Sequence, residues 1–383
     1  MDSLSVSQIK RLLQTFPTEL DELTILASNG ISDAMKRVMG QLADWIAAIN
    51  LHDYYADRME DCDHAPFFCL AGEEGVGKRE LVLRIHELVE RKGFVELPCD
   101  SSEENLRSKL FGHTKDLADA LEEPGEGKFL DASEGLLVIY EPQKLPVDCQ
   151  DFLLKWQKLR PIRKPGGDRQ FEYPDPVVIL VFRGSPEEII AAEAVLPGLF
   201  TKMLPHIYIL PLRERPEDVV LLIEYFLRTK GCEYRGRELS ADRDLEEEAL
   251  FLLVNFDWPG NISALREVVT RLVFSVPLSK HQHQITFPEV LDSLETRYGP
   301  NVLDFLTPLF RRNKRSQDRR RIKRDDVWLD ELKLLRRLMD LGFHLKDLAK
   351  PIDISPSQLS KRFKQAGFDP LPQGRPPKND PPL

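Results

Sequence analysis

Two periodicities divide the chain. Between residues 31 and about 212, short continuous apolar runs alternate with stretches whose apolar residues recur at helical spacing, the pattern of a parallel sheet covered on both faces. The runs are "FFCLAG" (67–72), "FVELPC" (94–99), "GLLVIY" (135–140), "VVILVF" (177–182) and "HIYILPL" (206–212). From 213 to about 297 the pattern is helical throughout: "PEDVVLLIEYFLRT" and "LEEEALFLLVNF" carry apolar residues at helical spacing, and "SALREVVTRLVF" follows the turn "DWPGN". Residues 1–30 form a short helical lead, too small for a sensor domain of its own. Residues 298–328 read as a linker, 329–368 as a small helical unit, and 369–383 as a proline-rich tail without fixed structure. No internal repeat is visible.

Composition narrows the class. A chain of 383 residues, 42% hydrophobic and 30% charged, has room for two or three globular domains. No run approaches the roughly 18–20 apolar residues of a membrane helix, and the start "MDSLSVSQIKRLLQTF" lacks the basic-then-apolar pattern of a signal peptide. A cytoplasmic location, away from membranes, is therefore expected. The five cysteines (Cys62, Cys69, Cys99, Cys149, Cys232) are scattered without a CxxC pair and read as packing or surface thiols. Charge is uneven: residues 301–383 hold 19 Lys/Arg against 11 Asp/Glu, a surplus of +8, within a chain whose net charge is -10. The cluster "RRNKRSQDRRRIKR" (311–324) is commonly a solvated linker, but beside a DNA-binding motif it also supplies phosphate contacts.

The strongest chemical motif is "GEEGVGK", with the spacing GxxxxGK between a strand and the helix "RELVLRIHELVER". In that context backbone N–H groups and the helix N-terminus surround phosphates while the lysine reaches the outer ones. The candidate nucleotide-binding residues are Gly72, Glu73, Glu74, Gly75, Val76, Gly77, Lys78 and Arg79, and the expected ligand is ATP. Arg79 stands where a Ser or Thr usually holds magnesium, which weighs against Mg2+. His281 and His283 in "KHQHQ" lack further ligands and read as a polar loop, so no metal site is expected.

These residues and their order resemble the sigma-54 enhancer-binding activators, which are AAA+ ATPases. "GEEGVGKRELVLRIH", "NLRSKLFGH", "GKFLDASEGLLVIYEPQKLPVDCQDFLLKWQ", "PLRERPEDVVLLIEYFL" and "DWPGNISALREVV" each match a family block, in the family's order, across roughly residues 31–297. The resemblance implies an α/β P-loop AAA+ core (31–212), a parallel sheet with helices on both faces, and a helical lid (213–297). It also implies that working groups are missing. Tyr140 occupies the place of the aspartate that holds magnesium, while Glu141 keeps the place of the acid that polarises water. A neutral phenol cannot supply that carboxylate. The loop that contacts the sigma factor reads "DLADAL" (116–121). The neighbour-reaching arginines align with Leu196 and Lys202, the lid arginine with Ser263, and the sensor asparagine with Arg183.

The C-terminal "HLKDLAKPIDISPSQLSKRFKQAGF" (344–368) is similar to the helix-turn-helix that ends these activators. Its local chemistry agrees: Ser355 can cap, Pro356 suits the first helical position, Leu359 and Phe363 make an inward stripe, and Gly367 ends the helix. Pro351 and Asp353 depart from the family pattern. Ser357, Gln358, Lys361, Arg362 and Lys364 are the candidate DNA-binding residues. The tail "QGRPPK" (373–378) has the Arg-Pro character of a minor-groove segment, against the more common meaning of a disordered proline-rich end.

The expectation is a DNA-binding transcription regulator on a degenerate AAA+ domain that binds ATP, hydrolyses it weakly at most, and does not remodel sigma-54 polymerase. Two alternatives stand beside it: a functional sigma-54-dependent activator ATPase, and an adaptor that joins rings of an intact homologue. The partners are double-stranded DNA, the chain itself or an intact AAA+ homologue, and, where the family role persists, RNA polymerase.

Overall fold

The apolar runs of the first two hundred residues pair into one sheet. The computed structural model describes residues 6–14, 32–56, 66–89, 91–100, 102–111, 127–133, 135–156, 176–192, 195–196, 199, 206–275, 284–299, 302, 325–341, 343–349 and 355–368. It divides into two compact units, residues 33–211 and residues 1–32 with 212–383. The "DLADAL" loop, Lys202, His281, His283, Pro351, Asp353, the 311–324 cluster and the tail lie outside the described residues.

In the 33–211 unit the strands are β1 (Phe67–Gly72), β2 (Phe94–Pro98), β3 (Leu136–Tyr140), β4 (Val177–Arg183) and β5 (His206–Ile209), all parallel, in the order β2-β3-β4-β1-β5. The three inner strands are buried along nearly their whole length, whereas the edge strands β2 and β5 are partly open. That difference explains why the inner strands read as unbroken apolar runs. One face of the sheet packs on Leu106, Leu110, Phe129, Phe152 and Leu153. The other receives Leu81, Val82 and Ile85 of the helix Lys78–Leu88, and Trp45 of the helix Asp33–Ala56 stacks on Phe68 with ring centres 4.4 Å apart. β5 stops at Ile209, short of the expected 212, and the chain turns into a 3-10 turn at Leu212–Glu214. Pro211 has no N–H to donate to the ladder. Cys69, Cys99 and Cys149 are buried in this core and Cys232 is exposed. Burial pushes the thiols of Cys99 and Cys149 up to about 12, which leaves them inert packing groups.

The other unit is built from helices Val6–Gln14, Pro216–Arg235, Glu247–Asn255, Asn261–Ser275, Phe287–Tyr298, Asp325–Asp340, Leu345–Ala349 and Pro356–Gln365, with two short pieces. The "DWPGN" turn is fixed by side chains: Trp258 Nε1 donates to Leu253 O at 2.7 Å, Tyr298 Oη to Pro259 O at 2.8 Å, and Asn261 Oδ1 accepts from Leu212 N at 2.8 Å. Arg215, 1% exposed, pairs with Asp218, which also accepts from both the N–H and the hydroxyl of Ser32. The charges of "PLRERPED" thus anchor the chain inside this unit. The helix Phe287–Tyr298 begins on a capping box between Thr286 and Glu289 with Pro288 in its first turn. The N-terminal helix Val6–Gln14 packs within this unit. Its Ile9 is 1% exposed in the same apolar cluster as Phe226, Leu253 and Val268, and Lys10 pairs with Glu247 at 2.8 Å. That cluster continues through Leu335 and Leu338 to Leu359 and Phe363, so the C-terminal helices share one core with the lid.

Candidate functional site

β1 ends at Gly72, where a Cβ would lie 3.0 Å from Ile209 O and 3.0 Å from Val76 Cγ2, so only glycine lets the loop turn there. Val76 is buried and pins the loop from inside. Gly77, with φ 102°, is the residue before the helix Lys78–Leu88 and offers no side chain to its first N–H groups. Those donors remain for an anion. The Lys78 ammonium rests on the loop itself, donating to Gly72 O at 2.7 Å and to Glu73 O at 2.6 Å. Burial first, and then the charge of Arg183, push it down to about 8.

Past this cradle the site departs from a magnesium-holding one. The Tyr140 hydroxyl donates to Glu96 Oε1 at 2.8 Å. Arg79 reaches the same carboxylate with two bonds, Nε to Oε1 at 3.0 Å and Nη2 to Oε2 at 3.1 Å. Arg79 above all, and then Tyr140, hold Glu96 below its ordinary range. Burial and the bond to Glu96 push the Tyr140 phenol up, so it stays protonated. Glu141, at φ 56°, is ion-paired with Lys144 three residues on. Arg183, at the end of β4, pairs with Glu74 of the loop at 2.7 Å.

The resident metal of P-loop ATPases does not fit this arrangement. Mg2+ requires oxygen ligands at near-octahedral geometry, and here the hydroxyl position holds a guanidinium and the carboxylate position a protonated phenol. Both oxygens of Glu96 are already bonded to Arg79. Among the described residues no group of three or more His, Cys, Asp or Glu side chains converges to hold a metal.

Residues 55–206 match the model of the sigma-54 interaction domain, and residues 213–297 match that of the AAA+ ATPase lid domain. The chain belongs to the sigma-54 activator family. Among relatives, it is 28% identical over 276 residues to the DNA-binding transcriptional activator HyfR of Escherichia coli, covering 70% of this chain and 38% of HyfR. It is 31% identical over 241 residues to the regulatory protein LuxO of Vibrio cholerae (60% and 43%), and 30% over 253 residues to the transcription regulator NorR of Citrobacter koseri (65% and 49%). The chain therefore spans less than half the length of these relatives. The crystal structure of NtrX from Brucella abortus in complex with ADP has the same fold, with a TM-score of 0.51 and 19% identity over 94% of this chain and 71% of that one.

Against this family pattern the remaining residues can be placed. Leu196 is partly buried against the core of the sheet and its N–H donates to Gln150 Oε1 at 2.9 Å, and an apolar side chain there offers no cation. Ser263 is exposed on the helix Asn261–Ser275. In the C-terminal unit Ser355 caps the helix Pro356–Gln365, accepting from Gln358 N at 3.2 Å. Leu359 and Phe363 are buried, and Ser357, Gln358, Lys361, Arg362 and Lys364 are exposed. Gln358 Oε1 accepts from Ser355 N at 2.8 Å, which completes a capping box and commits the carboxamide that a bidentate base contact would need. The spacing Ser-x-x-Gln carried that signal. Glu96, which joins Arg79 and Tyr140, has no mark in the sequence, because nothing near it in the chain signals the role.

No described helix is long and apolar enough to cross a membrane.

Proposed function

We propose that the protein is a DNA-binding transcription regulator whose AAA+ body binds ATP as a regulatory or assembly ligand and hydrolyses it at most weakly. The reading rests on one observation above others: Arg79 and Tyr140, in the two positions that would hold magnesium, are bonded to each other's partner, Glu96. Phosphoryl transfer depends on stabilising charge that develops in the transition state, through metal and arginines from neighbour and lid. Leu196 and Ser263 supply no such cation, and Glu141 is held by Lys144. The cradle itself is intact, since phosphate binding draws on backbone donors and Lys78.

DNA binding is assigned to residues 329–368, on the exposed row Lys361, Arg362 and Lys364 opposite the buried Leu359 and Phe363. HyfR, by its name, is a DNA-binding transcriptional activator, which supports the same role here, acting in the cytoplasm. Without the family's sigma-contacting loop sequence at 116–121, remodelling of sigma-54 polymerase is not part of this reading.

The test is enrichment of sheared genomic DNA on the purified chain, followed by sequencing. A recurring sequence motif is expected, and it is lost in the triple variant Lys361→Ala, Arg362→Ala, Lys364→Ala. Point variants are preferred to deletion because residues 332–363 contribute to the lid core. Equal recovery of all fragments by wild type and variant would refute the assignment.

A further inference from the structure

A nucleoside triphosphate carries close to four negative charges at neutral pH. A P-loop ordinarily meets them with backbone donors, one lysine and a divalent cation held between a hydroxyl and a carboxylate. This chain has lost both holders, and the losses are accompanied by gains. Arg79 stands in the hydroxyl's place and Arg183 in that of the sensor asparagine, so two guanidiniums join Lys78 around the loop. Their present partners are informative. Lys78 lies on the loop carbonyls of Gly72 and Glu73, and Arg183 on Glu74 of the same loop at 2.7 Å, with side-chain exposures of 56% and 72%. Each cation is therefore parked on the loop, on a partner that phosphate can replace. Arg79 needs no release. Its pairing with Glu96 uses Nε and Nη2, which leaves the two N–H donors of Nη1 for a phosphate oxygen.

We infer that the loop binds its nucleoside triphosphate without a divalent cation, with Arg79 and Arg183 meeting the charge that magnesium meets elsewhere. Glu96 and Tyr140 act as a positioning pair: the carboxylate orients the guanidinium, and the phenol, by donating to Glu96, holds that carboxylate in place. A divalent cation entering between Arg79 and the loop would face a fixed positive charge where P-loop ATPases present a hydroxyl and a carboxylate. The site thus accepts the polyanion whether or not a divalent cation accompanies it. The same arrangement binds charge without concentrating it on the transferring group, which fits a ligand-sensing site better than a catalytic one.

The inference depends on the nucleotide-binding reading above, and one experiment separates the two. The full chain is titrated with a fluorescent ATP analogue in excess magnesium chloride and, separately, in excess EDTA. The wild-type Kd should agree within about twofold between the two conditions. In EDTA, Arg79→Ala and Arg183→Ala should each weaken binding by about tenfold or more, the effect of losing a charge-assisted bond. The double variant Arg79→Thr, Tyr140→Asp should bind at least about tenfold better with magnesium than with EDTA, because it regains both holders. Wild-type binding that requires magnesium, or binding in EDTA that is indifferent to Arg79→Ala, overturns the inference while leaving nucleotide binding intact. Absence of binding under both conditions, with Lys78→Ala indistinguishable from wild type, overturns the nucleotide-binding reading and this inference with it.

Discussion

Arg79 and Tyr140 hold one carboxylate between them. The guanidinium donates to both oxygens of Glu96, and the phenol donates to Oε1 at 2.8 Å. Strand register makes this possible. Tyr140 lies opposite Pro98 in the β2–β3 pairing, and Glu96, two residues before Pro98, projects from the same side of β2 as its diagonal neighbour. The helix after the phosphate loop then delivers Arg79 from the third direction.

Removing the phenol's hydroxyl tests this closure. Tyr140→Phe keeps the ring and loses one partly buried hydrogen bond, so it should lower stability by about 0.5–1.5 kcal/mol. Tyr140→Asp should cost more, because it sets a second carboxylate beside Glu96. Urea unfolding of the three proteins gives the order directly. Equal midpoints would mean that the bond to Glu96 contributes nothing.

Nucleotide affinity should fall as pH rises above about 8. The Lys78 ammonium is pushed down to about 8, chiefly by burial and then by Arg183, with Glu141, Glu74 and Glu73 pulling the other way. A bound triphosphate favours the charged form, so above that pH binding takes up a proton. The loss should approach about tenfold per pH unit over the range between about 8 and 10. Kd measured across that range checks it, and Lys78→Ala should remove the slope. A flat wild-type profile would place Lys78 outside the binding step.

In the C-terminal unit, capping and DNA contact should separate. Ser355→Ala and Gln358→Ala each break the capping box and should destabilise the helix Pro356–Gln365 by about 0.5–2 kcal/mol. Lys364→Ala should leave stability unchanged and reduce the slope of log K against log salt by about 0.9, the share of one phosphate contact. Arg362→Ala should relax sequence choice, with about 1–3 kcal/mol less discrimination at one base pair. Anisotropy titrations at several salt concentrations distinguish these effects. Loss of discrimination in Gln358→Ala with stability unchanged would restore that side chain to base reading.

Much of this molecule is legible in its sequence for physical reasons, and the illegible parts have reasons too. Strands β1, β3 and β4 are buried on both faces, so their apolar runs announce them. The phosphate loop is fixed by local backbone demands at Gly72 and Gly77, which a spacing rule captures. Glu96 is different. Its role arises from strand pairing and from a helix 17 residues upstream at Arg79, and long-range partners of this kind leave no periodic mark. The N-terminal helix was likewise readable as a helix but not as part of the lid core, because Ile9 shows its burial only once Phe226 and Leu253 are in place. Gln358 is the opposite case: the spacing Ser-x-x-Gln marks a cap locally, and the same residue also suits an outward base-reading position.

The shared core predicts that the C-terminal helices and the lid unfold together. Phe363 is 1% exposed in the cluster that includes Leu253 and Val268, and Phe363→Ala should cost about 3–5 kcal/mol. Hydrogen exchange should then accelerate both in Pro356–Gln365 and in Glu247–Asn255. Acceleration confined to the mutated helix would show two independent cores.

Steady-state phosphate release by the purified chain tests the central claim most directly. Wild type, Lys78→Ala and Tyr140→Asp are measured side by side with ATP and magnesium. The groups needed for turnover act as one unit, so restoring the aspartate alone should recover little. The account predicts that all three release phosphate at the same background rate. Robust release by the wild type that disappears in Lys78→Ala would contradict it and identify a working ATPase.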